Sequence, residues 1–240
     1  MNHPVDRYWS QKLGVTTSEL SEPGVHIVAN SSSGLNGYAG VFFFSRGRSL
    51  VVSAPPELVE QLAGSIQVLS ETSIMDREAL HKVVGVEAGL VVGPAYQGFT
   101  GAASFNPPKR AERVSEADFD PALLQDLRTV SGEDAWEASG ISEATGRVAV
   151  AVEQDRVVGA AGLRHREAGI ADPCVLVQPD RRGRGLATAL VGRVVGAAVE
   201  QGTVVLYQTL HSNTAAVRVA QRLGFDHYAT TVAVRLTEAE

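Results

Sequence analysis

Short runs of β-branched and aromatic residues alternate with longer amphipathic stretches along the 240-residue chain. The short runs are typical of strands, and apolar residues three and four positions apart are typical of helices. In the first half this pattern predicts strands over residues 24–30, 37–44, 48–55 and 89–96, and helices over 55–65 and 76–85. The letters SRGR indicate a hairpin between two of the strands, Asp76 an N-cap and Gly85 a helix stop. The first half is therefore predicted to be a small α+β unit.

The second half has a more regular alternation of elements. Its pattern predicts the order α-α-β-β-β-α-β-α-β, with a tight turn at Gln154 and Asp155 and Asn213 as an N-cap. The helices are expected over residues 121–130, 132–140, from the early 180s to about 201, and 214–224. The strands are expected over 146–154, 156–165, 174–179, 203–211 and 225–236. This order indicates an α+β (or α/β) fold with a mixed sheet.

Residues 102–113, AASFNPPKRAER, are the best internal boundary. Paired prolines oppose both helix and sheet, and charged residues follow them directly. We therefore predict an N-terminal domain over residues 1–108 and a second domain over 109–240.

Composition and charge argue against several classes of function. The chain is 44% hydrophobic and 20% charged, with a net charge of -6, which suits a globular protein and gives no basic field for nucleic acid or an anionic membrane. Cys174 is the single cysteine, and the six histidines have no metal-ligand spacing, so no disulfide and no metal are expected. The first residues lack a signal-peptide pattern and no apolar run would span a bilayer, so we expect a cytoplasmic location.

One stretch, VQPDRRGRGLATAL at residues 177–190, points to a ligand. A strand leads through two glycines, Gly183 and Gly185, into an apolar helix, and the first N–H groups of a helix attract anions. The arginines around the glycines add positive charge. The stretch lacks GxxxxGK[ST] and the third glycine of the dinucleotide fingerprint, so it favours a pyrophosphate bound in another way than in ATP or NAD proteins. A solvated helix start with no ligand is the alternative.

The same stretch resembles the acetyl-CoA-binding segment of the GNAT acyltransferase superfamily. The family pattern Q/R-x-x-G-x-G/A is matched by Arg182, Gly185 and Ala187, and Asn213 and the letters RLGF at 222–225 follow at the family's distances. The resemblance covers about residues 111–236. It implies a GNAT-type fold in which the mixed sheet splays beside the strand that contains Val175 and Val177. The N-terminal half is a candidate for a degenerate half of the same fold.

The resemblance also implies an activity. The chain would be an N-acetyltransferase that moves an acetyl group from acetyl-CoA, its cosubstrate, to a primary amine of a small molecule or peptide by direct attack in a ternary complex. The resemblance does not identify the acceptor amine, and it does not decide whether the protein forms a homodimer. The residues that the resemblance assigns to acetyl-CoA are Val175, Leu176, Val177, Arg182, Gly183, Arg184, Gly185, Leu186, Ala187, Thr188 and Asn213.

The catalytic positions depart from the family pattern. Ala220 stands where many relatives have a tyrosine, and Ala171 stands where they have a glutamate. Asp172 is one residue away and would need a bulge near Pro173 to reach the same face. His211 and Tyr228 are the other candidates for acid or base, although a surface histidine and a sheet-edge tyrosine explain them as well. The rival function is an acyl-CoA-binding sensor or scaffold with little or no turnover.

Overall fold

The computed structural model describes residues 3–65, 73–85, 88–108 and 114–236. Its contacts divide the chain into two compact units, each discontinuous in sequence. The first unit comprises Met1–Gln97, Gln208–Val217 and His227–Glu240, and the second comprises Gly98–Tyr207 and Arg218–Asp226. The predicted domain bounds, 1–108 and 109–240, stay a prediction, and part of that boundary, 109–113, lies outside the described residues.

The helices are short except for one. They are α1 (Pro4–Leu13), α2 (Val59–Ser65), α3 (Arg77–Val84), α4 (Gln125–Ser131), α5 (Glu133–Ser139), α6 (Leu186–Glu200) and α7 (Thr214–Arg222). Asp76 caps α3 by accepting from the Glu78 N–H, and Gly85 ends that helix at a φ of 87°, both as predicted. Over the described residues, none of the helices combines the length and the apolar character that a membrane span requires.

The strands alternate with these helices along the chain. They are β1 (Gly24–Ala29), β2 (Gly40–Arg46), β3 (Ser49–Ala54), β4 (Ala88–Thr100), β5 (Ser115–Asp118), β6 (Thr145–Glu153), β7 (Arg156–His165), β8 (Ile170–Val177), β9 (Val204–Leu210) and β10 (Asp226–Leu236).

In the first unit, the strand order is β1-β3-β2-β10-β4. β1 runs parallel to β3, and β2 pairs antiparallel with both β3 and β10. The predicted SRGR hairpin is confirmed, because Arg46 pairs with Ser49 across a two-residue turn. Apolar residues of these strands, such as Phe43 and Val52, form one core with Leu62 of α2 and Leu80 of α3.

In the second unit, the strand order is β9-β8-β7-β6-β5. Neighbours from β5 to β8 are antiparallel, and β8 and β9 are parallel. The predicted turn at Gln154 and Asp155 is confirmed, with φ values of 50° and 61°.

Helices cover both faces of the strands in this unit. On one face, Leu176 and Cys174 share a core with Leu127 of α4 and Trp136 of α5. On the other face, Gly159 of β7 leaves room for Leu190 of α6. Burial raises the pKa of the Cys174 thiol to about 11, which suits a core residue rather than a nucleophile.

Several elements differ from the prediction, among them β8, which begins at Ile170 rather than at 174, and α4, which begins at Gln125 rather than at 121. The amphipathic helix α1, which buries Val5, Trp9 and Leu13, was not predicted. The short edge strand β5 was not predicted either, because its letters SEAD carry no apolar alternation. β4 is longer than the predicted 89–96, reaching Thr100.

Candidate functional site

The second unit has an opening in its sheet where two parallel strands separate. β8 and β9 pair at Ile170 with Val204 and at Ala171 with Val205, and the described pairing ends there. β8 continues to Val177, fully paired with β7 on its other side. The edge of β8 that faces β9 is therefore without a strand partner beyond Ala171, which matches the predicted splay.

The ladder between β7 and β8 decides which backbone groups face this opening. The Gln178 N–H donates to the Val158 carbonyl at 3.0 Å, and the register runs without a shift from Gly159 with Val177 to His165 with Ala171. Residues of an antiparallel pair alternate between bonding to the partner and facing away. Val175 and Val177 therefore present backbone N–H and C=O groups to the opening, whereas the backbone of Leu176 is used by β7.

The loop after β8 leads straight into α6. Gly183 and Gly185 have φ values of 75° and 82°, a region that favours glycine. A Cβ atom on either glycine would meet no atom within 4 Å, so the space beside this backbone is open. Gly185 is the N-cap of α6 and supplies no side-chain cap. The first turn of α6 therefore begins without a side-chain cap, and backbone N–H groups at such a helix start attract anions.

The arginines of the loop have different surroundings. The Arg181 side chain donates to Glu153 at 2.8 Å and also pairs with Asp180, so its charge is compensated. The Arg182 Nε donates to the Val177 carbonyl oxygen at 3.1 Å. The Arg184 side chain is exposed. The positive charge that the sequence predicts at this loop is therefore offset at Arg181, by Asp180 and by Glu153, which is distant in sequence.

A pocket of about 370 Å³ opens beside the start of α6. Its lining residues are Asn106, Pro107, Pro108, Gly185, Thr188, Ala189 and Arg222. Pro107 and Pro108, which lie in the predicted boundary segment, form a wall of this pocket, because the preceding chain packs on α6 and on the end of α7. The Asn106 side chain donates to the Arg222 carbonyl at 3.0 Å, and its N–H donates to the Leu223 carbonyl.

The sequence comparison decides the family of this region. The profile of the acetyltransferase (GNAT) family matches residues 112–225. The C-terminal half of the chain belongs to the GNAT acetyltransferase family. A comparison with curated protein sequences gives no match.

Solved structures extend the similarity of fold. A GNAT-family structure from Novosphingobium aromaticivorans is 20% identical and matches 100% of both chains with a TM-score of 0.51. Because this match includes the N-terminal region, that region is structurally related to a GNAT protein as well. The predicted α+β GNAT-type fold is confirmed.

Two further structures are more distant. A GNAT-family acetyltransferase from Colwellia psychrerythraea is 13% identical over 66% of this chain, with a TM-score of 0.48, and the match spans 61% of its own length. A GNAT superfamily phosphinothricin acetyltransferase from Sinorhizobium meliloti, in complex with AcCoA, is 18% identical over 52% of this chain and 88% of its own, with a TM-score of 0.38.

Asp172 of the GNAT domain lies in a buried ion cluster. Its Oδ2 accepts from Arg164 at 2.6 Å and from Arg166 at 2.9 Å, and its side chain is 1% exposed. Burial raises the pKa of this carboxyl group, against the opposing effect of the two arginines. The bulge that would turn Asp172 to the other face is not formed, because the register with β7 is regular. The carboxylate is therefore placed to hold two guanidinium groups.

Tyr228 belongs to another polar cluster, in the first unit. Its hydroxyl donates to Asp6 Oδ1 at 2.6 Å and accepts from Arg46 at 3.0 Å, and the Arg46 guanidinium lies 4.2 Å from the ring centre. Burial raises the pKa of Tyr228, and the hydrogen bond to Asp6 raises it further. These contacts favour a structural role for the Tyr228 hydroxyl.

His211 and Asn213 follow β9. The Asn213 Oδ1 accepts from the Ala216 N–H at 3.1 Å, which confirms the predicted N-cap of α7. The His211 Nε2 lies 3.2 Å from Thr230 Oγ1, and burial, followed by the neighbouring His227, lowers the pKa of His211. Because its pKa is lowered, the His211 imidazole is neutral at neutral pH, and the neutral form is the one that can accept a proton.

Some residues near these sites were not foreseen. Asn106 lines the pocket, and Thr230 and His227 accompany His211, but none of these three stands in a motif that a single sequence reveals. Arg222, which also lines the pocket, begins the letters RLGF, but those letters do not indicate a pocket. Among the described residues, no group of three or more His, Cys, Asp or Glu side chains is arranged to hold a metal ion.

Proposed function

We propose that this protein is an N-acetyltransferase that transfers an acetyl group from acetyl-CoA to a primary amine by direct attack in a ternary complex. The observation that carries the proposal is the end of β8–β9 pairing at Ala171 and Val205, followed by a glycine loop that opens α6 without a side-chain cap. Family membership of residues 112–225 supports the acetyl transfer.

In this proposal each part of the GNAT domain holds one part of the cosubstrate. The N–H and C=O groups of Val175 and the N–H of Val177 receive the amide-rich pantetheine arm. The backbone N–H groups from Gly183 to Thr188 receive the pyrophosphate, with Arg184 as an exposed cation nearby. The pocket lined by Asn106, Pro108 and Arg222 offers room for the nucleotide end. The Leu176 side chain packs in the hydrophobic core, so this proposal gives it no contact with acetyl-CoA.

Acetyl-CoA, when bound, supplies an activated thioester carbonyl. The chain's task is then to orient two reactants, to polarise the carbonyl with backbone N–H groups and to remove one proton from the amine. Of the three candidates, His211 suits the proton removal best, because Asp172 is enclosed by two arginines and Tyr228 is bonded to Asp6. His211 also precedes Asn213 by two residues at the end of the strand that leaves the β8 pair.

A binding protein without turnover is the second candidate. It is favoured by Ala220 and Ala171, both fully buried, at the positions where the family resemblance implies an acid and a base. Such a protein would hold acetyl-CoA as a sensor or scaffold.

An assay of thiol release from acetyl-CoA with a panel of primary amines separates the two functions, provided that acetyl-CoA binding is measured by calorimetry on the same preparation. Turnover with at least one amine, lost in a His211→Gln variant that still binds acetyl-CoA, supports the transferase. Binding without thiol release for any amine supports the sensor. Absence of binding contradicts both.

A further inference from the structure

The C-terminal half of α7, which belongs to the second unit, carries two arginines. Arg218 and Arg222 are exposed, and residues four apart on a helix share one side, with their Cβ atoms about 5–6 Å from each other. Neither side chain has an ion-pair or hydrogen-bond partner in the part of the chain that the structure describes. By contrast, Arg128, Arg164 and Arg181 of the same unit each pair with an acidic residue.

This pair of like charges has no acidic residue near it in the sequence. Residues 201–225 contain no Asp or Glu, and like charges four residues apart on a helix repel each other. Arg222 is the last residue of α7, where a cation interacts favourably with the helix dipole, but Arg218 stands one turn earlier. The dipole therefore explains Arg222 and leaves Arg218 unexplained. An anion bound by both guanidinium groups accounts for the two together.

Arg222 also belongs to the pocket beside the start of α6. Among the described residues that line this pocket, Arg222 is the one that carries a charge, and Pro107 and Pro108 give the pocket an apolar wall. Gly185 and Thr188 line the same pocket, and they are part of the backbone that the proposed function gives to the pyrophosphate. The pocket therefore connects the start of α6 with a cation on α7.

The end of α7 is held in place by a neighbouring segment. The Asn106 side chain donates to the Arg222 carbonyl at 3.0 Å, and the Asn106 N–H donates to the Leu223 carbonyl at 3.0 Å. A Cβ atom on Gly224 would lie 1.9 Å from the Ser104 carbonyl oxygen, so the two backbones are in close contact. These contacts use the backbone of the helix end and leave the Arg222 guanidinium group for a ligand. A cation on a fixed backbone loses less freedom when a ligand binds.

We propose that Arg218 and Arg222 bind the 3′-phosphate of coenzyme A (CoA) and make the site selective for the 3′-phosphorylated cosubstrate. This inference rests on the proposed function, in which the pyrophosphate lies at the start of α6. Beyond the pyrophosphate, CoA carries an adenosine whose ribose has a phosphate monoester on its 3′ oxygen. Such a monoester has close to two negative charges at neutral pH, and guanidinium groups bind phosphate oxygens through paired N–H donors. The wall of Pro107 and Pro108 suits the adenine ring.

Calorimetric titration of the whole protein with CoA and with 3′-dephospho-CoA tests this inference. For the wild type at low ionic strength, we expect CoA to bind about tenfold more tightly, because hydrogen bonds from charged donors contribute at least that factor and salt screens exposed charges. Arg218→Gln and Arg222→Gln should each weaken the binding of CoA and leave the binding of dephospho-CoA unchanged. Arg222→Lys should keep part of the selectivity, because lysine retains the charge without the planar fork.

The matched control is Arg193→Gln, which removes the same charge from an exposed arginine of α6 that pairs with Glu116. This variant should keep the wild-type ratio of the two affinities. A purely structural role for Arg222 at the end of α7 predicts instead that Arg222→Gln weakens both ligands by the same factor. An unchanged ratio in that variant therefore overturns the role of Arg222.

The wild-type comparison needs no substitution, so it decides the question even where a variant does not fold. Equal affinities for CoA and dephospho-CoA overturn the inference and leave the proposed function standing, because both ligands carry the pyrophosphate. Wild-type selectivity that survives in the Arg218→Gln, Arg222→Gln double variant contradicts the assignment to these two residues. Absence of binding for both ligands contradicts the proposed function together with the inference.

Discussion

The Arg182 Nε donates to the carbonyl oxygen of Val177 at 3.1 Å. This bond joins the loop before α6 to the open edge of β8, so the Arg182 side chain holds the loop backbone in place rather than pointing its charge at a ligand. It also occupies the Val177 carbonyl. In the proposed complex, the Val177 N–H and the backbone groups of Val175 are then left for the pantetheine arm of acetyl-CoA.

Removal of this bond should weaken acetyl-CoA binding. We expect Arg182→Met to raise the dissociation constant about tenfold, because a hydrogen bond from a charged donor contributes about 1.5–3 kcal/mol. Calorimetric titration at fixed salt measures the change. The matched control is Arg181→Met, whose side chain pairs with Glu153 and Asp180, and which should change the affinity less than about twofold. Equal losses in both variants would show that only local charge matters.

Replacement of Asp172 should affect stability before chemistry. Asp172→Asn removes the buried carboxylate charge that both Arg164 and Arg166 contact, and breaking a buried ion pair costs about 3–5 kcal/mol. Urea unfolding should therefore show a large loss, whereas Glu143→Gln, at the exposed partner of Arg164, should change the unfolding free energy by less than about 0.5 kcal/mol. A variant with unchanged stability and strongly reduced kcat would instead identify Asp172 as the base.

The Tyr228 hydroxyl should contribute to stability and not to the reaction. Tyr228→Phe removes the donor to Asp6 and the acceptor for Arg46, and we expect it to lower the unfolding free energy by about 1–3 kcal/mol. Thiol release under saturating substrates should keep its kcat. A fall in kcat of more than about tenfold in a well-folded protein would restore Tyr228 as a candidate acid.

The lowered pKa of His211 predicts a direction for stability against pH. A histidine whose pKa is depressed on folding favours the fold while it is neutral, above its unfolded value of about 6.5, and this contribution is lost as the pH falls through the folded pKa. We therefore expect His211→Gln to flatten the decline in unfolding free energy on the acid side of about pH 6.5. The same slope in the variant and the wild type would assign the decline to other groups.

Local features were predictable from the sequence, and partners distant in the chain were not. The turn at Gln154 and Asp155 and the caps at Asp76 and Asn213 depend on neighbouring residues alone, and all are confirmed. The glycine loop was recognisable for the same reason, because Gly183 and Gly185 act on adjacent backbone.

The glycines of α6 illustrate the limit. Gly192 lies against Pro108, and Gly196 lies against Phe105, both from the segment that the sequence predicts to be a boundary. Similarly, the partners of Asp172 depend on the register that places Arg164 opposite it. The periodicity of apolar residues predicts which face of a helix or strand a residue occupies. The residues that it contacts depend on the strand register and on the path of the chain, which the sequence pattern does not reveal.

The central claim is that the backbone from Gly183 to Thr188 binds the pyrophosphate of acetyl-CoA, and Gly185 tests it most directly. Gly185→Glu puts bulk and negative charge into the open space, whereas Gly185→Ala adds only the strain of a Cβ at a φ of 82°, about 1–2 kcal/mol. We predict that calorimetry finds no acetyl-CoA binding for Gly185→Glu, with the circular dichroism spectrum of the wild type, and retained but weaker binding for Gly185→Ala. Wild-type affinity in the folded Gly185→Glu protein would contradict the account.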